Sequence, residues 1–256
     1  MKKLLLSVCL LAATSLVASA QSGHGSFYVQ YNLLGVGKEM ADYLDDIDSP
    51  SDHLNGLSLG FNKAFAVTQS VPLFVEVGAG LTYAWGKFYD EEDEYPCYYY
   101  DEYGRGNCGD EFSIHEKDLS QHLMVNIPVN LMYKFQIPNS SITLEPYVGI
   151  NVKAHILGQT KGKLKYDACC DGMEDILEDR AEEYEEYDIN YFNKKDMESK
   201  KYVAKRVNIG WQIGANVDFG KAFVGISYGS DFNKYMNFWG DDWRFSATNF
   251  TVGLRF

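Results

Sequence analysis

The chain has 256 residues, with 23 basic against 36 acidic side chains and a formal net charge of −13. A field of that sign excludes nucleic acid and other polyanions as partners. Beyond the first 20 residues no apolar run approaches the roughly 20 that a spanning helix needs, so any membrane reading has to rest on strands.

Residues 1–20 have the form of a secretory leader. Lys2 and Lys3 precede an apolar run of 14 residues, and Ala18, Ser19 and Ala20 supply small side chains for cleavage before Gln21. The domain reading is therefore a signal peptide over 1–20 and one unit over 21–256. Removing the leader leaves 21 basic and 36 acidic residues.

Eight segments then follow with period-two alternation, the signature of a strand with one oily and one polar face. They are residues 26–34, 54–67, 72–87, 119–135, 142–157, 202–219, 222–230 and 244–256. The fifth is the cleanest: Ile142, Leu144, Val148, Ile150 and Val152 alternate with Thr143, Glu145, Gly149, Asn151 and Lys153. In the last, Phe250, Val252, Leu254 and Phe256 alternate with Thr251, Gly253 and Arg255. The polar faces of segments three to six are small or polar rather than rich in Lys and Glu, as a solvent face would be. Aromatics such as Tyr83, Trp85, Tyr133, Phe135 and Phe256 stand near strand ends on the oily face, where membrane girdles lie.

The connections alternate in length. Residues 68–71, 138–140 and 220–221 are short turns; 35–53, 88–118, 158–201 and 231–243 are long. Of the 36 acidic residues, only Glu76, Asp118, Glu145 and Asp218 fall in or at strands. Excluded charge, short turns on one side and long loops on the other predict an all-β fold. It is an eight-stranded antiparallel up-and-down transmembrane β-barrel with both termini at the periplasmic side.

Residues Ile127-Pro128-Val129-Asn130-Leu131-Met132-Tyr133-Lys134-Phe135 resemble a strand of the porin-like outer-membrane β-barrel domain proteins of Bacteroidota. A short turn then leads to Pro146-Tyr147-Val148-Gly149-Ile150, as it does in that family. The resemblance implies an eight-stranded barrel in the cell outer membrane, similar in architecture to the outer membrane protein A and X barrels. It implies little about activity. By likeness to such barrels, a terminal Phe256 implies recognition by the barrel assembly machinery.

Several groups are candidates for chemistry. Glu76, Lys134, Glu145, Lys153, Arg206, Asp218 and Arg255 face inward by parity and predict a lumen ion-pair network, since paired charges are the way to bury them. A two-residue turn at Pro138–Asn139 would set His122 directly opposite His155, an inward pair able to bind metal or sense pH. The alternative for both sets is interior polarity that fills the barrel. Cys97, Cys108, Cys169 and Cys170 suit disulfides in an exported chain, with three pairings open. Glu111, Ser113 and His115 share parity and keep open an outer-leaflet lipid-modifying enzyme. Residues 90–94 are all acidic and run into Tyr95, Tyr98, Tyr99, Tyr100 and Tyr103; residues 171–187 read as a capped amphipathic helix. Calcium binding lacks the spaced Asp loop that would support it, and no cofactor or resident metal is expected.

The expectation is a monomeric, non-enzymatic outer-membrane barrel in contact with outer-membrane lipid. Its acidic, tyrosine-rich loops would meet an extracellular partner, and a narrow cation-preferring pore is the alternative.

Overall fold

The structure is a computed structural model that describes residues 23–37, 41–42, 51–68, 70–88, 90–101, 104–167, 186–197, 202–238 and 241–256. Side chains are described for these except 90–101, 104–116, 164–167, 238 and 241. The leader, Cys169, Cys170 and the expected helix up to residue 185 lie outside the described residues.

Thirteen strands are described: β1 (Gly25–Gly35), β2 (His53–Ala66), β3 (Leu73–Gly86), β4 (Asp90–Asp101), β5 (Gly104–Tyr133), β6 (Phe135–Gln136), β7 (Thr143–Asp167), β8 (Glu186–Asn190), β9 (Val207–Asp218), β10 (Ala222–Asp231), β11 (Met236–Phe238), β12 (Asp241–Trp243) and β13 (Ser246–Arg255). Eight of them form a ring in the order β1, β2, β3, β5, β7, β9, β10, β13, with β13 pairing back onto β1. Every pair is antiparallel. Tyr28 stands between Gly253 and Gly60 in the closing register. Phe256 N donates to Gly25 O at 3.0 Å, and Gly25 N donates back to Phe256 O at 2.9 Å. A closed ring leaves no edge within it, which is what a sheet needs to sit in lipid.

Alternation sends each strand's two faces to different solvents. The outer wall carries Phe27, Leu59, Val252 and Leu254 at 60–65 % exposure, a continuous apolar belt far beyond what a water-soluble surface tolerates. Aromatics ring its two ends. Phe27 lies 5.1 Å from Phe256 and Tyr133 lies 4.5 Å from Phe135 at one end, and Tyr83 stacks on Trp85 at 5.7 Å at the other. The inner wall is polar and buried, with Ser58, Glu76, Asn130, Glu145 and Asn208.

Lumen aromatics lie flat against glycines on neighbouring strands. A Cβ built at Gly60 would overlap the Tyr28 ring, and one at Gly253 would overlap Phe223. Gly60→Ala is therefore expected to cost about 1–3 kcal/mol through overpacking. The cost should shrink by at least about half in a Tyr28→Ala background, because the obstructing ring is gone. Urea titration in detergent micelles checks this; an unchanged cost in both backgrounds would refute the packing.

The turns correct one expectation. Ile137 N donates to Ile142 O at 3.0 Å, so the β6–β7 turn has four residues, with Asn139 at φ 59°. Asn tolerates that left-handed conformation. The longer turn shifts the register by one pair: His155 faces Met124, and His122 faces Gly158 across a bulge at Ile156.

A second correction concerns the long connections. β5 has 30 residues and β7 has 25, whereas a tilted strand crosses a bilayer in roughly 9–11. Both run on past the belt. There β4 takes over from β3 along β5, and β8 pairs with β7 on the edge that β9 uses lower down. The result is a sheet β4–β5–β7–β8 standing above the barrel. Glu186 and Tyr187, expected at the end of a helix, open β8. Likewise β9 starts at Val207, five residues later than expected.

Candidate functional site

The barrel interior has four levels. The lowest is an ion cluster near the short turns. Arg255 on β13 bonds Glu145 on β7 through one guanidinium nitrogen, and its Nε lies 3.1 Å from Asp218 of β9. The other Glu145 oxygen takes Lys134 Nζ at 2.9 Å. Glu145 is fully buried, and the Arg255 side chain is 6 % exposed. Two cations thus face two carboxylates in direct ion pairs, which is the condition for burying them. The His24 ring lies against both cations. Lys134 also covers the Phe74 ring at 4.7 Å, and Arg255 covers Phe223 at 4.9 Å. Glu76 joins through amides instead: Asn130 Nδ2 donates to it at 3.1 Å, and Asn130 Oδ1 accepts from Gln212 at 2.5 Å.

The middle level is neutral. Asn32 donates to Ser58 at 2.8 Å, Ser58 and Thr82 share a bond of 2.6 Å, and Asn249 donates to Ser227 at 3.0 Å. A cavity of about 80 Å³ lies among these groups, enough for a few waters. Above it Lys153 pairs with Asp231 at 2.7 Å, both buried. Sequence reasoning missed Asp231 by assigning it to a loop; it is the last residue of β10.

Arg206 is not part of the lumen. It precedes β9, is exposed, lies 4.1 Å over the Phe192 ring and donates to Ile156 O at 3.4 Å. Parity counted from Asn208 does not reach it, because the strand has not yet begun.

The top level was not anticipated. Tyr191, Tyr235, Trp243 and Phe245 come from two separate connections and fold inward over the barrel mouth. They pack with Leu34, Val36, Leu54, Phe88, Met124 and Met236. Trp243 and Phe245 are 5.6 Å apart, as are Tyr235 and Trp243. The signal was present in the sequence: residues 232–245 hold seven large apolar side chains, Phe232, Tyr235, Met236, Phe238, Trp239, Trp243 and Phe245, too many for a solvated loop.

His122 and His155 form the floor of this cap. His155 lies 4.6 Å from Tyr235 and 5.7 Å from Phe245; His122 lies 5.3 Å from Phe245 and 5.7 Å from Trp243. They share ring partners without facing each other across the ladder. Among the described residues no group of three or more His, Cys, Asp or Glu could hold a metal. Ser120 Oγ sits 3.3 Å from His122 Nε2, and both residues are fully buried. Of the other expected site residues, Cys97 and Cys108 fall on β4 and β5, while Glu111, Ser113 and His115 fall on β5 where only backbone is described.

Burial pushes the Tyr191 phenol up to about 12, opposed by hydrogen bonds with Ser120 and Thr160 and aided by Asp118; burial also holds Tyr235 well above the ordinary 10.0. A folded-state pKa above the unfolded one gives stability that is whole below pH about 10 and lost as pH climbs toward 12. The cap is therefore expected to loosen in that alkaline window. Phenolate absorbance read alongside tryptophan fluorescence checks it; simple titration of all tyrosines near pH 10 without a fluorescence step would contradict it.

A ring of eight antiparallel strands with an oily exterior, a neutralised polar lumen and short turns at one end defines a membrane-spanning β-barrel. No family model and no curated protein matches the chain, so no match supports the family resemblance at Ile127–Phe135 and Pro146–Ile150. Among solved structures the chain is similar to the outer membrane enzyme PagL, at 13 % identity and TM-score 0.39, covering 89 % of this chain and 98 % of that one. It is also similar to Neisserial surface protein A, at 10 % identity and TM-score 0.36 over 91 % and 97 % of the two chains. A third is Ail, the attachment invasion locus protein of Yersinia pestis, at 9 % identity and TM-score 0.35 over 92 % and 100 %. Likeness at these values assigns no function.

Proposed function

We propose that this chain is a monomeric outer-membrane protein, exported behind residues 1–20, that works by display rather than by transport or catalysis. One observation carries the reading. Ion-paired side chains cross the lumen at the Arg255–Glu145–Asp218 level and buried aromatic rings cover its other end at Trp243 and Phe245, with the cavity of about 80 Å³ between them, while β5 and β7 continue well past the apolar belt. The barrel serves as an anchor, and the sheet β4–β5–β7–β8 is what it holds out. That sheet begins with five consecutive acidic residues, 90–94, and a tyrosine-rich run. The composition suits a cationic or polar extracellular partner whose contacts are made by aromatic rings. The end at which the Phe27 and Phe256 rings lie 5.1 Å apart is the part that the assembly machinery would meet.

An epitope tag inserted between Asp101 and Gly104 tests the orientation. It is expected to bind antibody on intact cells, whereas the same tag in the 138–141 turn should bind only after the outer membrane is opened. The reverse pattern, or labelling of neither tag in the membrane fraction, would sink the display reading.

A further inference from the structure

The backbone register of the β4–β5 hairpin bears on two cysteines. Its closing pair is Asp101 opposite Gly104, followed outward by Tyr100↔Arg105, Tyr99↔Gly106 and Tyr98↔Asn107. Continued by one step, that register sets Cys97 opposite Cys108. There the ladder breaks: it resumes at Pro96↔Glu111, so extra residues on β5 sit at the cysteine level. Directly opposed residues of an antiparallel pair have Cα atoms about 4.5–5.5 Å apart, inside the roughly 4.4–6.8 Å that a disulfide spans. Ladder pairing is interrupted at this level, so a cross-link there would tie the two strands where their backbone bonds do not.

We propose that Cys97 and Cys108 are joined by a disulfide that clasps the displayed hairpin across its bulge. The proposal rests on the export reading, because such a bond forms and persists only in an oxidising compartment. The oxidant is a disulfide-bonded thiol oxidant of that compartment. One cysteine thiolate attacks the oxidant's S–S bond, forms a mixed disulfide and releases the first oxidant thiolate. The second cysteine thiolate then attacks the protein sulfur of that mixed disulfide and releases the second oxidant thiolate. Two protein S–H bonds are exchanged for one S–S bond, and the oxidant leaves reduced by two electrons and two protons.

The sequence provides its own assay, because trypsin cleaves after Arg105, between the two cysteines. The full-length protein is taken from membranes with free thiols alkylated before extraction, then digested with and without reductant. A linked peptide pair carrying Cys97 and Cys108, which separates on reduction, is expected in most of the protein. Alkylation of both cysteines, or linkage of either to Cys169 or Cys170, would overturn the proposal. A parallel sample, refolded in detergent with oxidised glutathione, separates the two layers of the claim. A linked pair there beside free thiols in the membrane fraction overturns the oxidising-compartment step, and with it the export reading. Free thiols in both overturn the pairing itself. Where a Cys97→Ser/Cys108→Ser double variant still gives a heat-modifiable barrel, its β4–β5 tip should be cut by protease about tenfold faster than the parent's. Equal rates would also count against the clasp.

Discussion

Glu145→Ala is expected to cost about 3–5 kcal/mol of barrel stability, the range for removing one partner of a buried ion pair. The carboxylate is fully buried and is shared by Arg255 and Lys134. Without it Arg255 keeps Asp218 as its ion-pair partner, while Lys134 loses the carboxylate it pairs with. Lys134→Ala should cost distinctly less, about 1–2 kcal/mol, because Lys134 is 19 % exposed and Arg255 remains to balance Glu145. Unfolding followed by heat-modifiable migration in detergent gives both values. Similar losses for the two variants would show that the cluster does not act as a shared-carboxylate unit.

The second large effect belongs to the cap. Trp243→Ala is expected to lower the stability of the capping connections by about 3–5 kcal/mol, the range for deleting a large buried aromatic side chain. Trp243 is 2 % exposed and touches Phe88, His122, Tyr191, Tyr235 and Phe245. The loss is expected to be local, because the strand ladders below the cap do not pass through it. Amides of residues 190–197 and 231–245 should exchange faster with solvent, while those of β1 and β13 keep their protection. Uniform loss of protection across the barrel would mean that the cap and the barrel unfold as one unit.

Ring, topology and wall chemistry were legible because lipid imposes a strict code. Each strand must be oily outside and small, polar or charge-paired inside, so Val148, Ile150 and Val152 alternate with Gly149, Asn151 and Lys153 without a break. The lower cluster was legible by the same parity, down to Arg255 among Glu145 and Asp218. Where the code lapses, the reading failed. Above the belt β4, the early part of β5 and β8 need no apolar face, so they passed for loops and, at Glu186, for a helix end. Arg206 was given the parity of a strand that starts one residue later, and Asp231 was left off a strand that includes it. The His122–His155 pairing depended on turn length, which Asn139 at positive φ decides and which period-two patterning cannot see. The aromatic cap escaped because it is built from two distant connections. The composition of each was visible, but their convergence over His122 and His155 was not.

As proposed, the barrel acts as an anchor blocked at both ends and not as a conduit. The full chain, purified as the heat-modifiable form and reconstituted in planar bilayers, tests it most directly. A lumen blocked at the Arg255–Glu145 level and at the Trp243–Phe245 cap predicts a baseline without discrete current steps at either polarity. Reproducible steps with cation preference, abolished when the Lys153–Asp231 level is altered, would show that ions pass where Lys153, Tyr235 and Trp243 stand, and would contradict the account.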